Sequence, residues 1–143
     1  MPANHMLYQV TVKALLFKDG KLLTLITPTG YLDFPGGRVD TGERDLTWEE
    51  SLEREVAEEL GADLRIKVGE TAFVTKRAYT SGGTAYAVAA IYFWAEYQSG
   101  QVALSDEHAH FEWVNPATLA TADYKFVSED ERRQIRAYFA SRQ

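Results

Sequence analysis

The chain has 143 residues, 45% of them hydrophobic and 13% aromatic, enough to bury a core without covalent staples. It has no cysteine, which excludes disulfides, thiolate metal sites and cysteine nucleophiles, and leaves any metal to oxygen or histidine ligands. Lys and Arg number 15 against 21 Asp and Glu, a formal charge of -6 that argues against broad contact with the phosphate backbone of long nucleic acid.

No run reaches the roughly 18 apolar residues of a membrane helix, and the first residues lack a signal-peptide pattern. A cytoplasmic location with no membrane partner is therefore expected. Residues 1 to 6 have no periodicity and are expected to form a flexible tail, followed by a single domain over 7–143. Tyr8, Val10, Val12, Ala14 and Leu16 alternate with Gln9, Thr11 and Lys13, the period of a half-buried strand. Asp19-Gly20 turns the chain into a second strand, Leu22 to Ile26. Thr27 to Leu46 is rich in Gly, Pro and Asp and is expected to be loop, with a short extended piece near Tyr31 to Phe34.

Thr47 and Glu50 have capping-box spacing, so a helix starts there, and Gly61 is placed to end it in a left-handed turn. Trp48, Leu52, Val56 and Leu60 fall on one helical stripe, the face expected to pack on a sheet. Glu55, Glu58 and Glu59 converge near one edge of that face. Crowded carboxylates repel unless a cation neutralises them, and a hard, oxygen-seeking ion such as magnesium fits that need. An ordinary solvated acidic helix would give the same octapeptide EREVAEEL, so the helix alone does not decide the matter.

Leu64 to Val68, Thr71 to Tyr79 and Thr84 to Tyr97 are rich in β-branched and aromatic residues and predict strands, the last two paired. Gln101 to Leu104 and Phe111 to Val114 predict short strands, and Pro116 to Ala120 a helical turn. Ser128 with Glu131 predicts a second capping box, on a terminal helix that docks through Ile135, Tyr138 and Phe139.

Residues 36 to 62 read GGRVDTGERDLTWEESLEREVAEELGA. They resemble the Nudix box, a glycine, five residues, a glutamate, seven residues and then R-E-U-x-E-E-x-G-U with U aliphatic. Gly37, Glu43, Arg54, Glu55, Val56, Glu58, Glu59, Gly61 and Ala62 take the box positions, and Phe34-Pro35-Gly36 matches the usual approach to it. Between Glu43 and Arg54 there are ten residues instead of seven. The extra three are most simply Arg44, Asp45 and Leu46, in a surface loop where added length costs little. The insertion bears on the placement of Glu43.

The resemblance implies an α+β fold, an α/β/α sandwich whose mixed sheet is flanked by the box helix and a C-terminal helix. It implies a pyrophosphohydrolase that cleaves a nucleoside triphosphate or a nucleoside diphosphate derivative, using magnesium, with manganese as the alternative cation. Carried onto this chain, Glu55, Glu58, Glu59 and the Gly37 carbonyl hold metal, Arg54 orients the carboxylates and Glu43 supports them. Arg38 is a candidate phosphate contact. The general base is a box glutamate, Glu55 among them, or an acid in Ser105 to His110, where similarity to an E-H followed by W-V favours Glu107. His108 and His110 are open as bases, ligands or structural residues. Tyr79, Tyr86, Tyr124 and Phe126 offer faces for a nucleobase or for the core. The expected partner is a small nucleotide-type substrate, and a homodimer is among the assembly states the sequence allows. A non-catalytic Nudix domain that senses a nucleotide is the competing assignment, disfavoured by the complete set of carboxylates.

Overall fold

The computed structural model describes residues 4–142. The tail expected over 1 to 6 lies partly outside the described residues; residues 4 to 8 form neither helix nor strand. One seven-stranded mixed sheet organises the chain. Its strands are β1 (Gln9–Lys18), β2 (Lys21–Ile26), β3 (Leu32–Asp33), β4 (Gly36–Arg38), β5 (Arg65–Ser81), β6 (Thr84–Ser99) and β7 (His110–Val114). The order is β3-β2-β1-β6-β5, with β4 paired to β1 and β7 to β2. β1 and β6 run parallel over Gln9 to Phe17, and the other pairs are antiparallel.

Helices cover both faces, as the sandwich architecture requires. On one face α1 (Trp48–Leu60) lays Leu52, Val56 and Leu60 against Val12, Ala14 and Leu16 of β1 and Leu23 and Leu25 of β2. On the other, α2 (Thr118–Thr121) and α3 (Glu129–Ala140) bring Leu119, Ile135 and Phe139 against Leu15, Leu22, Phe34 and Tyr92.

Because both faces are covered, β1 is not half-buried as its alternation predicts. Thr11 and Lys13, on its polar register, are 1% and 5% exposed. Tyr8 lies before the strand and is exposed. Trp48 also departs from the predicted stripe: as first residue of α1 it reaches past the core to the rim formed by Tyr8, Val10 and Val39, and stays 45% exposed.

Two predicted strands merge. β5 runs unbroken through Gly69, absorbing the irregularity in register shifts between Val68 and Phe73. Gln101 to Leu104 is not a strand at all. Its neighbourhood is occupied by the free carbonyls at the end of α1, which accept from the Ala103 N–H (Leu60 O, 2.8 Å) and the Ser105 N–H (Glu59 O, 2.9 Å). Gly61 ends α1 at φ 100, ψ 143, an extended glycine conformation instead of the left-handed turn expected. The Thr47 and Glu50 capping box forms in full. At α3, Ser128 Oγ accepts from the Glu131 N–H, but the Glu131 carboxylate turns inward to accept from the Tyr92 hydroxyl at 2.6 Å. Burial raises the proton affinity of both Glu131 and Tyr92.

Candidate active site

The helical phase of α1 sorts its acids. Glu55 and Glu59 lie one turn apart and turn toward β4, while Glu58 stays largely in solvent. β4 makes room for both. A Cβ on Gly37 would stand 2.3 Å from Glu55 Oε2, so the carboxylate rests directly on a bare Cα. The Gly36 N–H donates to Glu59 Oε1 at 2.5 Å, and Gly36 itself packs so tightly that a Cβ would meet Val12 O at 1.9 Å. The two glycines thus bring a strand backbone against two carboxylates with no side chain between.

Arg54 supports the outer side. Its fork donates to both oxygens of Glu43 (2.6 and 2.8 Å), to Glu55 Oε1 (2.8 Å) and to Glu58 Oε1 (2.8 Å). The Arg54 hydrogen bonds, with help from the Asp40 N–H, hold the Glu43 carboxyl down to about 2. Arg44 to Leu46 form an exposed turn, beginning from the short 3-10 segment Thr41–Glu43 and closed by the Leu46 N–H on Glu43 O (3.0 Å). Glu43 therefore meets Arg54 with Arg44 to Leu46 looped outward.

The inner side is a buried chain that starts at β1. The Lys13 ammonium donates to Asp33 Oδ1 (2.9 Å) and Phe34 O (3.2 Å), and Asp33 Oδ2 lies 2.8 Å from His108 Nε2. His108 Nδ1 stands 3.6 Å from Glu59 Oε2, beyond hydrogen-bond reach. Burial works to raise the Asp33 carboxyl, but Lys13 and the bonds from His108, Lys13 and the Phe34 N–H overcome it and hold Asp33 far below the usual range. Burial raises Glu59 to about 7 against the pull of Lys13 and the Gly36 N–H, and raises Glu55 despite Arg54. Burial opposes the charge on His108, yet Asp33 and Glu59 raise its proton affinity overall.

The loop that carries Glu107 and His108 is tied at both ends, by the Ser105 N–H to the end of α1 and by the Ala109 N–H to Ile26 O (2.7 Å). Glu107, Asp106 and Ser105 face Glu55, Glu58 and Glu59 across a cleft of roughly 280 Å³. Arg38 is not in that cleft. It donates to the Tyr79 hydroxyl (2.6 Å), stacks over the Tyr79 ring and lines a separate cleft with Gln9, Val39 and Trp48. Tyr79 stacks on Tyr86, whereas Tyr124 and Phe126 pack against the second core cluster. His110 is exposed on β7. Lys13 and Asp33 are site neighbours that sequence reasoning missed: each is a lone charge in an extended segment, and no local pattern announces that they meet.

The donor set fits a divalent cation. Glu59, Glu107 and His108 offer ligand atoms within 4.8 Å of one another, Glu55 lies on the same cleft, and His108 Nδ1 is buried with no hydrogen-bond partner. A mixed sheet between helical layers, with an acidic helix clamped to a glycine strand, defines the class: an α+β protein with a cluster of acids and a histidine at the helix end that could hold a metal ion.

The NUDIX domain sequence profile matches residues 7–138. Among solved structures, the MutT protein from Methanosarcina mazei Go1 is 25% identical with a TM-score of 0.74, the match covering 99% of each chain. The E. coli ORF135 protein is 23% identical, with a TM-score of 0.73 over 99% of this chain and 96% of that one. A C. elegans Ap4A hydrolase in a binary complex is 21% identical, with a TM-score of 0.63 over 93% and 96%. For the last two the likeness concerns the fold. No curated protein sequence matches significantly. The chain belongs to the NUDIX domain family. With that family it is a hydrolase acting on pyrophosphate bonds.

Proposed function

We propose that the chain hydrolyses a phosphoanhydride bond in a nucleoside triphosphate or a nucleoside diphosphate derivative, with magnesium as its cation and manganese as the alternative. The observation that carries this is the cleft between Glu55, Glu58 and Glu59 on α1 and Glu107 on the facing loop. A divalent cation there would spread the charge that develops on the phosphate oxygens. Glu55, Glu58, Glu59 and the Gly37 carbonyl are its proposed ligands.

The protein's own part is positioning. Arg54 fixes Glu55 and Glu58 through one rigid fork, and Glu43 anchors that fork from behind. Glu107, exposed at the mouth of the cleft, is the proposed acceptor of the proton from the attacking water, with Glu55 the alternative. Arg38 is the proposed phosphate contact from the end of β4, and to act so it turns from the Tyr79 hydroxyl toward substrate. A small substrate in a cytoplasmic setting belongs to the same proposal. The charge of -6 supports it over long nucleic acid, and no described helix is long and apolar enough to cross a membrane.

The test is release of phosphate or pyrophosphate from a panel of nucleoside triphosphates, ADP-ribose, dinucleoside polyphosphates and nucleotide sugars with magnesium. Activity on at least one member is expected. Glu59→Gln keeps an acceptor for the Gly36 N–H, so it is expected to fold and to lose activity by about a hundredfold or more. A wild-type rate in that variant would refute the role of Glu59.

A further inference from the structure

We infer that in the nucleotide-free protein, before Glu107 is called on as a base, His108 Nδ1 is a metal ligand, sharing a divalent cation with Glu59 and Glu107 at the loop side of the cleft. The inference rests on cation binding by the acidic cleft and adds a nitrogen to its donor set.

Hydrogen-bond accounting comes first. The His108 side chain is 3% exposed, so its ring nitrogens find partners within the protein or go without. Nε2 lies 2.8 Å from Asp33 Oδ2, and the Asp33 carboxylate, paired with the Lys13 ammonium, can only accept. Nε2 therefore carries a proton. In the neutral ring the lone pair then sits on Nδ1, which has no hydrogen-bond partner. Nδ1 stands 3.6 Å from Glu59 Oε2, so with Glu59 ionised one acceptor lies near another. Two buried acceptors at that distance repel unless something positive lies between them.

A shared cation supplies it. Ligands held about 2.0 to 2.3 Å from an ion lie roughly 3 to 4.5 Å from each other. The Nδ1 to Oε2 separation falls in that span, and the Glu107 ligand atom joins Glu59 and His108 within 4.8 Å. The support is also of the right kind. A histidine that ligates through one nitrogen characteristically donates its other N–H to a carboxylate, which fixes tautomer and ring direction, and Asp33 stands in that place. Both ends of the loop are hydrogen-bonded to α1 and β2, so the ring is presented by a fixed backbone.

The consequence is selectivity. Magnesium keeps an all-oxygen shell, whereas an imidazole nitrogen is better accepted by a transition ion, so this subsite favours manganese over magnesium. A shared proton, with a charged imidazolium donating toward Glu59, is the rival arrangement.

The test is electron spin-echo spectroscopy of the intact wild-type protein with one equivalent of Mn²⁺ and no nucleotide. The expected result is modulation from a directly bound ¹⁴N, replaced by the ¹⁵N pattern after ¹⁵N-histidine labelling. In a binding titration, His108→Gln is expected to weaken Mn²⁺ by about tenfold or more and Mg²⁺ by much less. Bound Mn²⁺ without nitrogen coupling would overturn the inference and leave the acidic cleft standing. Failure to bind Mn²⁺ at all would overturn both. The wild-type spectrum decides the question even if the glutamine variant does not fold.

Discussion

Gly37→Ala separates function from folding. A Cβ at this position would lie 2.3 Å from Glu55 Oε2 and 2.4 Å from its Cδ, and ordinary contact begins near 3.4 Å, so the carboxylate must move by about 1.1 Å. It can do so cheaply, because it is the free end of a flexible side chain. Burial already raises its proton affinity, and moving outward relieves that. The Gly37 backbone is not in the left-handed region, and a glycine replaced where alanine fits gains about 0.4 to 1 kcal/mol from the unfolded state. That gain is set against one lost hydrogen bond from Arg54, again about 1 kcal/mol. Stability is therefore expected to stay within about 1 kcal/mol of wild type. Activity is not: a 1 Å misplacement of a positioning group costs roughly a hundredfold. Urea unfolding, Mg²⁺ titration and kcat/KM on the best panel substrate measure the three quantities. A variant with normal metal affinity and rate would refute the placement of Glu55, and one that fails to fold would refute the claim that only a side-chain end stands in the way.

Gly36→Ala is expected to do the opposite, losing about 3 kcal/mol or more of stability, because its Cβ would strike Val12 O and Lys13 Cα, neither of which can yield, at φ 142. A thermal midpoint within a few degrees of wild type would disprove the tight seat of β4 on β1. Glu131→Gln probes pH dependence away from the cleft. Burial raises the Glu131 carboxyl above its ordinary 4.5, so its favourable contribution is complete below that value and is lost as pH rises through the raised folded value. Glutamine still accepts from Tyr92 and has no such slope, so the variant is expected to gain stability relative to wild type between pH 4 and pH 8; parallel curves would rule this out.

What could be foreseen from the sequence was what depends on near neighbours. Asp19-Gly20 sets a hairpin, Thr47 and Glu50 start α1, and helical phase brings Glu55 and Glu59 to the buried edge of α1, whereas Glu58, expected to converge with them, stays largely in solvent. The failures share one cause: partners distant in the chain. Lys13 is buried because Asp33 meets it from another strand, and in Gln101 to Leu104 the Ala103 N–H, followed by that of Ser105, goes to the end of α1 although the residues suit a strand. His108 takes its orientation from Asp33, 75 residues earlier, so no local pattern could distinguish it from a solvent-facing histidine.

Charge explains why two supports are needed. Around the cleft lie Glu43, Glu55, Glu58, Glu59, Asp106, Glu107 and Asp33, and besides His108, which bonds to Asp33, the basic side chains that bond to them among the described residues are Arg54 and Lys13. The two bases stand on opposite sides. Arg54 spends its fork on Glu43, Glu55 and Glu58, and Lys13 is consumed by Asp33, so Glu59 and Glu107 receive no direct lysine or arginine partner among the described residues. Arg54 thus offsets part of the charge on Glu55 and Glu58, while Glu59 and Glu107 on the same cleft lack such a partner among the described residues. Proton uptake is one answer to such a surplus, and burial raises Glu59 to about 7 in that direction. A divalent cation would be another, because it can draw on several carboxylates at once. Pairing of Glu43, Glu55 and Glu58 with Arg54 therefore leaves the Glu59 edge, where His108 and Glu107 converge, as the part of the cleft with the least charge compensation, which is where the proposed cation would be held most strongly.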